Sequence, residues 1–252
     1  MTKCRIIFVS LLCCCMFVTS FAQYRNTGED SNIIYSNESL GILNINSHGF
    51  GAAYRQTKIK NAFTSNFFEI GFTTYRDDKE QMMSSYYSGY KSYKYGKLND
   101  ILILRAGFGS QYLVSRKPYW GGVEIQLNYS CGLSLCFAKP IYVYILVPDS
   151  LHTNSYVEAL ERYDPDEHTY VNILGKGKIW SGLLETKVYP GVYGKVGVVF
   201  EYGEYNNLAK AIELGVNLDI FPLAVPIMAY NDPKNLFFSF YLNVIFGNRY
   251  NK

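Results

Sequence analysis

The residues best equipped for chemistry fall in a few small groups. Asp149-Ser150-Leu151-His152 puts the residue types of a nucleophilic triad side by side. Such catalysis needs a base held against the nucleophile by a third group, and adjacency along the chain does not supply that geometry. His48, beside Ser47, is the second acyl-transfer candidate. Neighbours on a strand point to opposite faces, so the reading is a surface or interface histidine. Tyr163-Asp164-Pro165-Asp166-Glu167-His168 gathers three carboxylates and an imidazole, oxygens that could hold Ca²⁺. It lacks the glycine-turned loop and regular ligand spacing of a calcium site, and it is expected to be a solvated acidic loop. Gly175-Lys176-Gly177-Lys178 lacks the rest of any phosphate-binding fingerprint and reads as a hairpin turn. No catalytic residue, metal site or cofactor is expected.

A further set of charges is spread along segments of alternating polarity: Glu69, Arg105, Glu124, Lys195, Glu201, Glu213 and Asp219. The element that must position Glu124 is the longest of these segments, Gly121 to Lys139. There Val123, Ile125, Leu127, Tyr129, Cys131, Leu133, Leu135 and Phe137 alternate with Glu124, Gln126, Asn128, Ser130, Gly132, Ser134 and Cys136. Successive strand side chains point to opposite faces, so the run has one apolar and one polar face. About 9–11 tilted residues carry a strand across a bilayer, and this run is longer. It reads as one stave of a membrane barrel, with the seven charges on the inward face.

The first residues indicate the compartment. Lys3 and Arg5 precede an apolar core from Ile6 to Val18, and Ser20-Phe21-Ala22 supplies small residues where a signal peptidase reads. Residues 1–22 are expected to be a secretory signal peptide, cleaved between Ala22 and Gln23, and 23–252 the barrel domain. Lipidation is not favoured, because Leu12 rather than a small residue precedes Cys13. No later stretch offers ~20 consecutive apolar residues, which argues against helical spans. Losing Lys3 and Arg5 with the leader takes the 24 basic residues to 22, against 21 acidic ones. With basic residues scattered, no nucleic-acid partner is expected. Four of the six cysteines lie in the leader. The remaining Cys131 and Cys136 face opposite sides of one strand, leaving no disulfide scaffold.

Further strands are read at Ile42 to Tyr54, with a bulge near Gly49-Phe50-Gly51, and at Phe67 to Tyr75, Leu98 to Leu113, Val192 to Tyr202, Ala211 to Ile220 and Leu236 to Gly247. With the stave from Gly121 these make seven. Single-chain barrels have even strand numbers, so an eighth is sought at Asn32 to Asn37, or at 141–147 or 168–174. Residues 57–65 read as a polar turn and Ser155 to Arg162 as a short helix. Short periplasmic turns are placed near 116–120 and 203–207, and outward loops at 76–97, 148–182 and 222–234. Tyr112, Tyr119 and Trp120 suggest an aromatic girdle.

Several pieces carry a resemblance: Tyr95-Gly96-Lys97-Leu98-Asn99, Gly121-Gly122-Val123, Tyr129-Ser130-Cys131-Gly132-Leu133-Ser134-Leu135, Ala138-Lys139-Pro140 and Phe246-Gly247-Asn248-Arg249-Tyr250. Across most of the mature chain they resemble small outer-membrane β-barrels of Bacteroidota type, and diffusely the PorT-like barrels associated with type IX secretion. The last strand is similar to the aromatic-rich strand recognised by barrel assembly machinery, with Asn251 and Lys252 added beyond the final aromatic. The sequence thus predicts an all-β, antiparallel transmembrane barrel of about eight strands, ten being the alternative. The expected role is non-enzymatic: a monomeric structural, interaction or secretion-accessory protein in contact with outer-membrane lipids and envelope partners. A narrow channel for small solutes is the alternative, and a lipid-modifying enzyme the third reading.

Overall fold

A computed structural model describes residues 35–85, 89–116, 122–148, 156–169, 171–203 and 208–251. The expected leader at 1–22, Tyr119, Trp120 and the Asp149–His152 group lie outside them. Thirteen strands follow in chain order: β1 Asn37–Asn46, β2 Gly49–Asn61, β3 Thr64–Tyr75, β4 Met82–Met83, β5 Tyr93–Lys94, β6 Asn99–Ser115, β7 Glu124–Pro140, β8 Tyr142–Pro148, β9 Tyr156–Arg162, β10 Ile173–Lys176, β11 Lys187–Glu201, β12 Leu208–Val225 and β13 Lys234–Tyr250. Eight of them close into an antiparallel up-and-down barrel in the order β1-β2-β3-β6-β7-β11-β12-β13. Closure pairs β1 with β13 from Asn37 opposite Tyr250 to Asn46 opposite Tyr241. A closed ladder leaves no sheet edge and satisfies the strand backbones internally, as a strand in lipid requires.

The two faces are inverted relative to a soluble protein. Ile45, Phe108, Leu133 and Phe240 lie on the outside, each more than half exposed. Arg55, Glu213 and Asp219 are completely buried inside. The fold is that of a transmembrane β-barrel, with the period-two pattern sorting apolar side chains outward and polar ones inward.

Several local readings are corrected. Residues 42–54 are not one bulged strand: β1 ends at Asn46, Ser47 and His48 make a tight turn, and β2 starts at Gly49. That hairpin provides the eighth strand. Neither 141–147 nor 168–174 joins the barrel, because β8 is the centre of a separate sheet ordered β10-β8-β9. The expected polar turn at 57–65 is mostly strand, with only Ala62 and Phe63 between β2 and β3. Tyr156–Arg162 is a strand rather than a helix, paired in register with β8 from Tyr142 opposite Arg162 to Pro148 opposite Tyr156. The proline-bearing loop is shorter than expected, since β12 continues through Pro222 to Val225.

The barrel interior is layered. Toward the end with long loops, Tyr75, Ile101, Ile103, Cys136, Phe221 and Phe237 form an apolar cluster. Toward the end with short turns, Leu40, Ile42, Val199, Ala209, Ala211 and Ile245 form a second. Charged residues occupy the space between. Beyond the rim, a third cluster built on Tyr93, Val143, Ile145, Tyr163 and Ile173 holds the side sheet over the loops.

Candidate functional site

The middle layer is built from six strands, β2, β3, β6, β11, β12 and β13, whose inward positions come level. Arg55 on β2 donates from Nε to Glu69 Oε2 at 2.7 Å and from Nη2 to Glu213 Oε2 at 2.7 Å. Lys195 on β11 donates to Glu69 Oε1 at 2.8 Å and lies 3.3 Å from Glu213 Oε1. Tyr241 on β13 donates its hydroxyl to Glu213 Oε1 at 2.7 Å. The Arg55 guanidinium also lies over the Phe67 ring, 4.5 Å from its centroid. Beside this group Arg105 grips Asp219 through both of its carboxylate oxygens, at 2.9 and 2.7 Å, and Asn217 donates to Asp219 Oδ2 at 2.7 Å. Three cations meet three carboxylates, so the layer is formally neutral. A buried ion pair survives its desolvation cost when geometry and extra hydrogen bonds are good; these contacts are short, although Arg55 Nη1 and Asn217 Oδ1 are buried without a hydrogen-bond partner.

Tyr241 reaches Glu213 because small residues face it. A Cβ added at Gly197 would fall 2.3 Å from the Tyr241 hydroxyl, and one at Gly215 would fall 2.6 Å from it. Those two glycines form the groove in which the ring lies. Between the ion pairs and an asparagine cluster runs a cavity of about 40 Å³ whose lining includes Asn44, Glu69, Arg105, Lys195, Asn217 and Asn243. That is room for a water-sized guest. Apolar clusters lie on either side of the cavity along the barrel.

The seven charges read from the sequence divide into two sets. Glu69, Arg105, Lys195, Glu213 and Asp219 meet in the middle layer. Glu124 and Glu201 stand opposite one another near the short-turn end, beyond the second apolar cluster. Arg249 binds Glu201 at 2.6 and 2.8 Å and Glu38 at 2.6 Å, while Gln126 donates to Glu124 at 2.7 Å. Sequence reasoning missed Arg55, Glu38 and Arg249, and put Tyr241 on the polar face of its strand without a partner. The signal that could have found Arg55 is charge balance: Glu69, Glu213 and Asp219 outnumber Arg105 and Lys195, so a dry interior needs one more cation.

Solved structures with a similar course were found, all at low identity. The attachment invasion locus protein Ail of Yersinia pestis is 9% identical, with 86% of this chain and 100% of that one covered and a TM-score of 0.43. Neisserial surface protein A is 12% identical, with 86% and 97% covered and a TM-score of 0.40. The N-terminal β-barrel domain of Pseudomonas aeruginosa OprF is 10% identical, with 84% and 97% covered and a TM-score of 0.34. No protein-family model matches the chain, and no curated protein matches it. The resemblance to Bacteroidota and PorT-like barrels finds no support in these comparisons.

The loop end carries the remaining candidates. Ser47 and His48 sit in a turn rather than on a strand, so the opposite-faces argument fails and their side chains meet: Ser47 Oγ is 2.8 Å from His48 Nδ1. His48 Nε2 lies 3.5 Å from Asp78 Oδ1, and the ring stacks on Tyr75 with centroids 4.8 Å apart. The Asp78 side chain is 79% exposed. Solvent screens so exposed a carboxylate and leaves it a poor orienter of a catalytic base. In the acidic loop, Asp164 N–H donates to His168 Nδ1 at 2.9 Å and Asp166 N–H to Asp164 Oδ1 at 3.0 Å. These groups cap their own backbone. Among the described residues no three His, Cys, Asp or Glu side chains converge as metal ligands.

The loops are tied together over the apolar cluster. Glu80 takes Lys94 and, at 2.6 Å, the buried Lys97, which also holds Asp100 at 2.9 Å. Asp77 takes Lys234 at 2.6 Å. Ala229 N–H donates to Gly96 C=O at 2.7 Å, and Gly96 N–H to the Tyr163 hydroxyl at 3.2 Å. Burial alone would raise the Glu80 carboxyl, but the bonds and charges of Lys94 and Lys97 outweigh it and hold it below the ordinary glutamate value. Asp77 behaves likewise: burial opposes, and Lys234 with the Lys79 N–H overcomes it and lowers the carboxyl. Burial pushes the Tyr163 hydroxyl up to about 12.

Proposed function

We propose that this chain is an outer-membrane barrel with a non-enzymatic role, acting through its loop end as a structural or interaction protein of the envelope. One observation carries the reading: the barrel is filled by the Arg55–Glu69–Glu213–Lys195 network between two apolar layers, so the inside is occupied by its own side chains. The apolar outer face supports residence in lipid, and the leader at 1–22 supports export with cleavage after Ala22. The aromatic β13 suits recognition by barrel assembly machinery, and the chain is taken as a monomer without a nucleic-acid partner. A secretion-accessory version of the role rests on the diffuse PorT-like resemblance alone.

The test is conductance of the refolded protein in a planar bilayer. The proposal expects no steady unitary steps, and a reproducible open level would replace it with the narrow-channel reading. Crosslinking in intact envelopes, with the crosslinker placed on the loop end, then identifies the partner. The Ser47–His48 contact favours one second reading, a lipid-ester hydrolase. Release of fatty acid from acylated lipid by the refolded barrel, abolished by Ser47→Ala, would establish it. The expected result is no release by either form.

A further inference from the structure

Gly175-Lys176-Gly177-Lys178 has a different place in the molecule from the turn its sequence suggests. β10 ends at Lys176, and the segment around Lys91 runs beside it, with Lys176 N–H donating to Lys91 C=O at 3.2 Å. A Cβ at Gly175 would fall 2.8 Å from that carbonyl and 2.9 Å from Tyr90 Cβ, so the glycine lets the two segments meet. Gly177 N–H donates to Tyr142 C=O at 2.8 Å. The meeting leaves a cleft of about 600 Å³ walled by Tyr90, Tyr144 and Trp180 and by Lys91, Lys176 and Lys178, with no acidic side chain on its lining. Tyr90 and Tyr144 have ring centroids 6.4 Å apart, and Trp180 is 78% exposed. Among the described residues Lys91 and Lys178 make no ion pair, while Lys176 has Asp100 at 3.9 Å.

The position of the cleft narrows its ligand. Lys139, on the outward face at the end of β7, donates from Nζ to Ile179 C=O at 2.6 Å. Ile179, Leu183 and fully exposed Leu184 extend the apolar outer surface past the last staves. Exposed tryptophan and lysine at the end of an apolar wall mark the headgroup level of a bilayer.

We infer that this cleft binds the phosphorylated saccharide headgroup of a glycolipid in the same leaflet, a reading that rests on the outer-membrane assignment above. Two lysines without an ion pair, Lys91 and Lys178, and Lys176, only loosely met by Asp100, attract phosphate, and the aromatic rings offer flat amphipathic surfaces for sugar faces. The volume is in the range of small-ligand clefts.

The chain has two tryptophans, so Trp120→Phe leaves Trp180 as sole reporter. This form is refolded into phosphatidylcholine vesicles carrying bis-phosphorylated lipid A, its dephosphorylated counterpart, or neither. The expected result is a saturable blue shift of Trp180 emission with the phosphorylated lipid alone. Lys91→Ala, Lys176→Ala and Lys178→Ala together should weaken it on the order of a hundredfold, since each lysine near an anionic surface contributes about a factor of five. The matching triple arginine variant should retain it. An equal shift with the dephosphorylated lipid, no shift at all, or an alanine variant that binds like the parent overturns the inference. So does dextran sulfate producing the shift in detergent while lipid A in vesicles does not, which would assign the cleft to a free polyanionic glycan. Failure of the protein to enter vesicles, read by heat-modifiable gel migration, would instead overturn the membrane reading.

Discussion

Arg55 has no exposed surface, and its charge is met by Glu69 and Glu213. Removing it alone leaves two buried carboxylates with Lys195 as the remaining cation of that group. Arg55→Ala is therefore expected to destabilise the folded barrel by about 3–5 kcal/mol, the cost of orphaning a buried charge. Adding Glu213→Ala restores formal neutrality and should recover part of that loss, which urea unfolding of both variants in lipid vesicles would measure. Equal stability of single and double variants would mean that the guanidinium is held by packing on Phe67 rather than by charge. The same residue shows the limit of parity arguments. Inward positions on β1 are Leu40, Ile42 and Asn44, whereas on β2 they are Ala53, Arg55 and Thr57. A tight turn at Ser47-His48 breaks the even-odd count. Glu69, Arg105, Lys195, Glu213 and Asp219 fall on strands whose alternation was legible even though their ends were not; Arg55 was not, because its strand was joined to the one before it and ended at Tyr54.

At the level of elements, β7 makes the cost of charge on the lipid face measurable. Leu133 stands midway along the strand and is 68% exposed, while Leu127 lies close to its short-turn end. Leu133→Arg should cost about 2–4 kcal/mol in a lipid-folding titration and Leu127→Arg about 0–1, following depth in the bilayer. Identical costs would contradict this placement of the apolar band. On β12, a Cβ at Gly215 would fall 2.2 Å from the Val196 carbonyl oxygen as well as against the Tyr241 hydroxyl. Gly215→Ala is expected to destabilise by about 1–3 kcal/mol through overpacking, with Tyr241→Phe in the same background relieving part of it. Strands such as β7 and β13 were readable because one face meets lipid and the other the polar interior, which imposes strict alternation. β8 lacks that contrast, with Val143 and Ile145 packed into a cluster beyond the rim. β9 is specified by pairing with β8, its neighbour in sequence, and no local pattern in Tyr156–Arg162 records such a partner.

For the whole molecule, a filled interior shifts any recognition to the surfaces beyond the rim, and those surfaces are held by ion pairs that acid can break. Asp77 and Glu80 have carboxyls lowered below their ordinary values of 3.8 and 4.5. A depressed carboxyl stabilises the closed loops above its unfolded value, and the contribution is lost as pH falls through the lower folded value. The loop cap is thus expected to be fully closed at pH 5 and above and to loosen only below about pH 4, while the hydrogen-bonded barrel persists. Pepsin works across this window. Its cleavage within residues 76–98, normalised to the unfolded chain at each pH, should rise as pH falls from 5 to 2. Glu80→Gln removes the charge that holds Lys94 and Lys97 and should make the same segment cleavable already at pH 5. Protection that is unchanged by Glu80→Gln at pH 5 would show that the apolar contacts of Tyr93 and Tyr163, rather than the ion pairs, keep the cap closed.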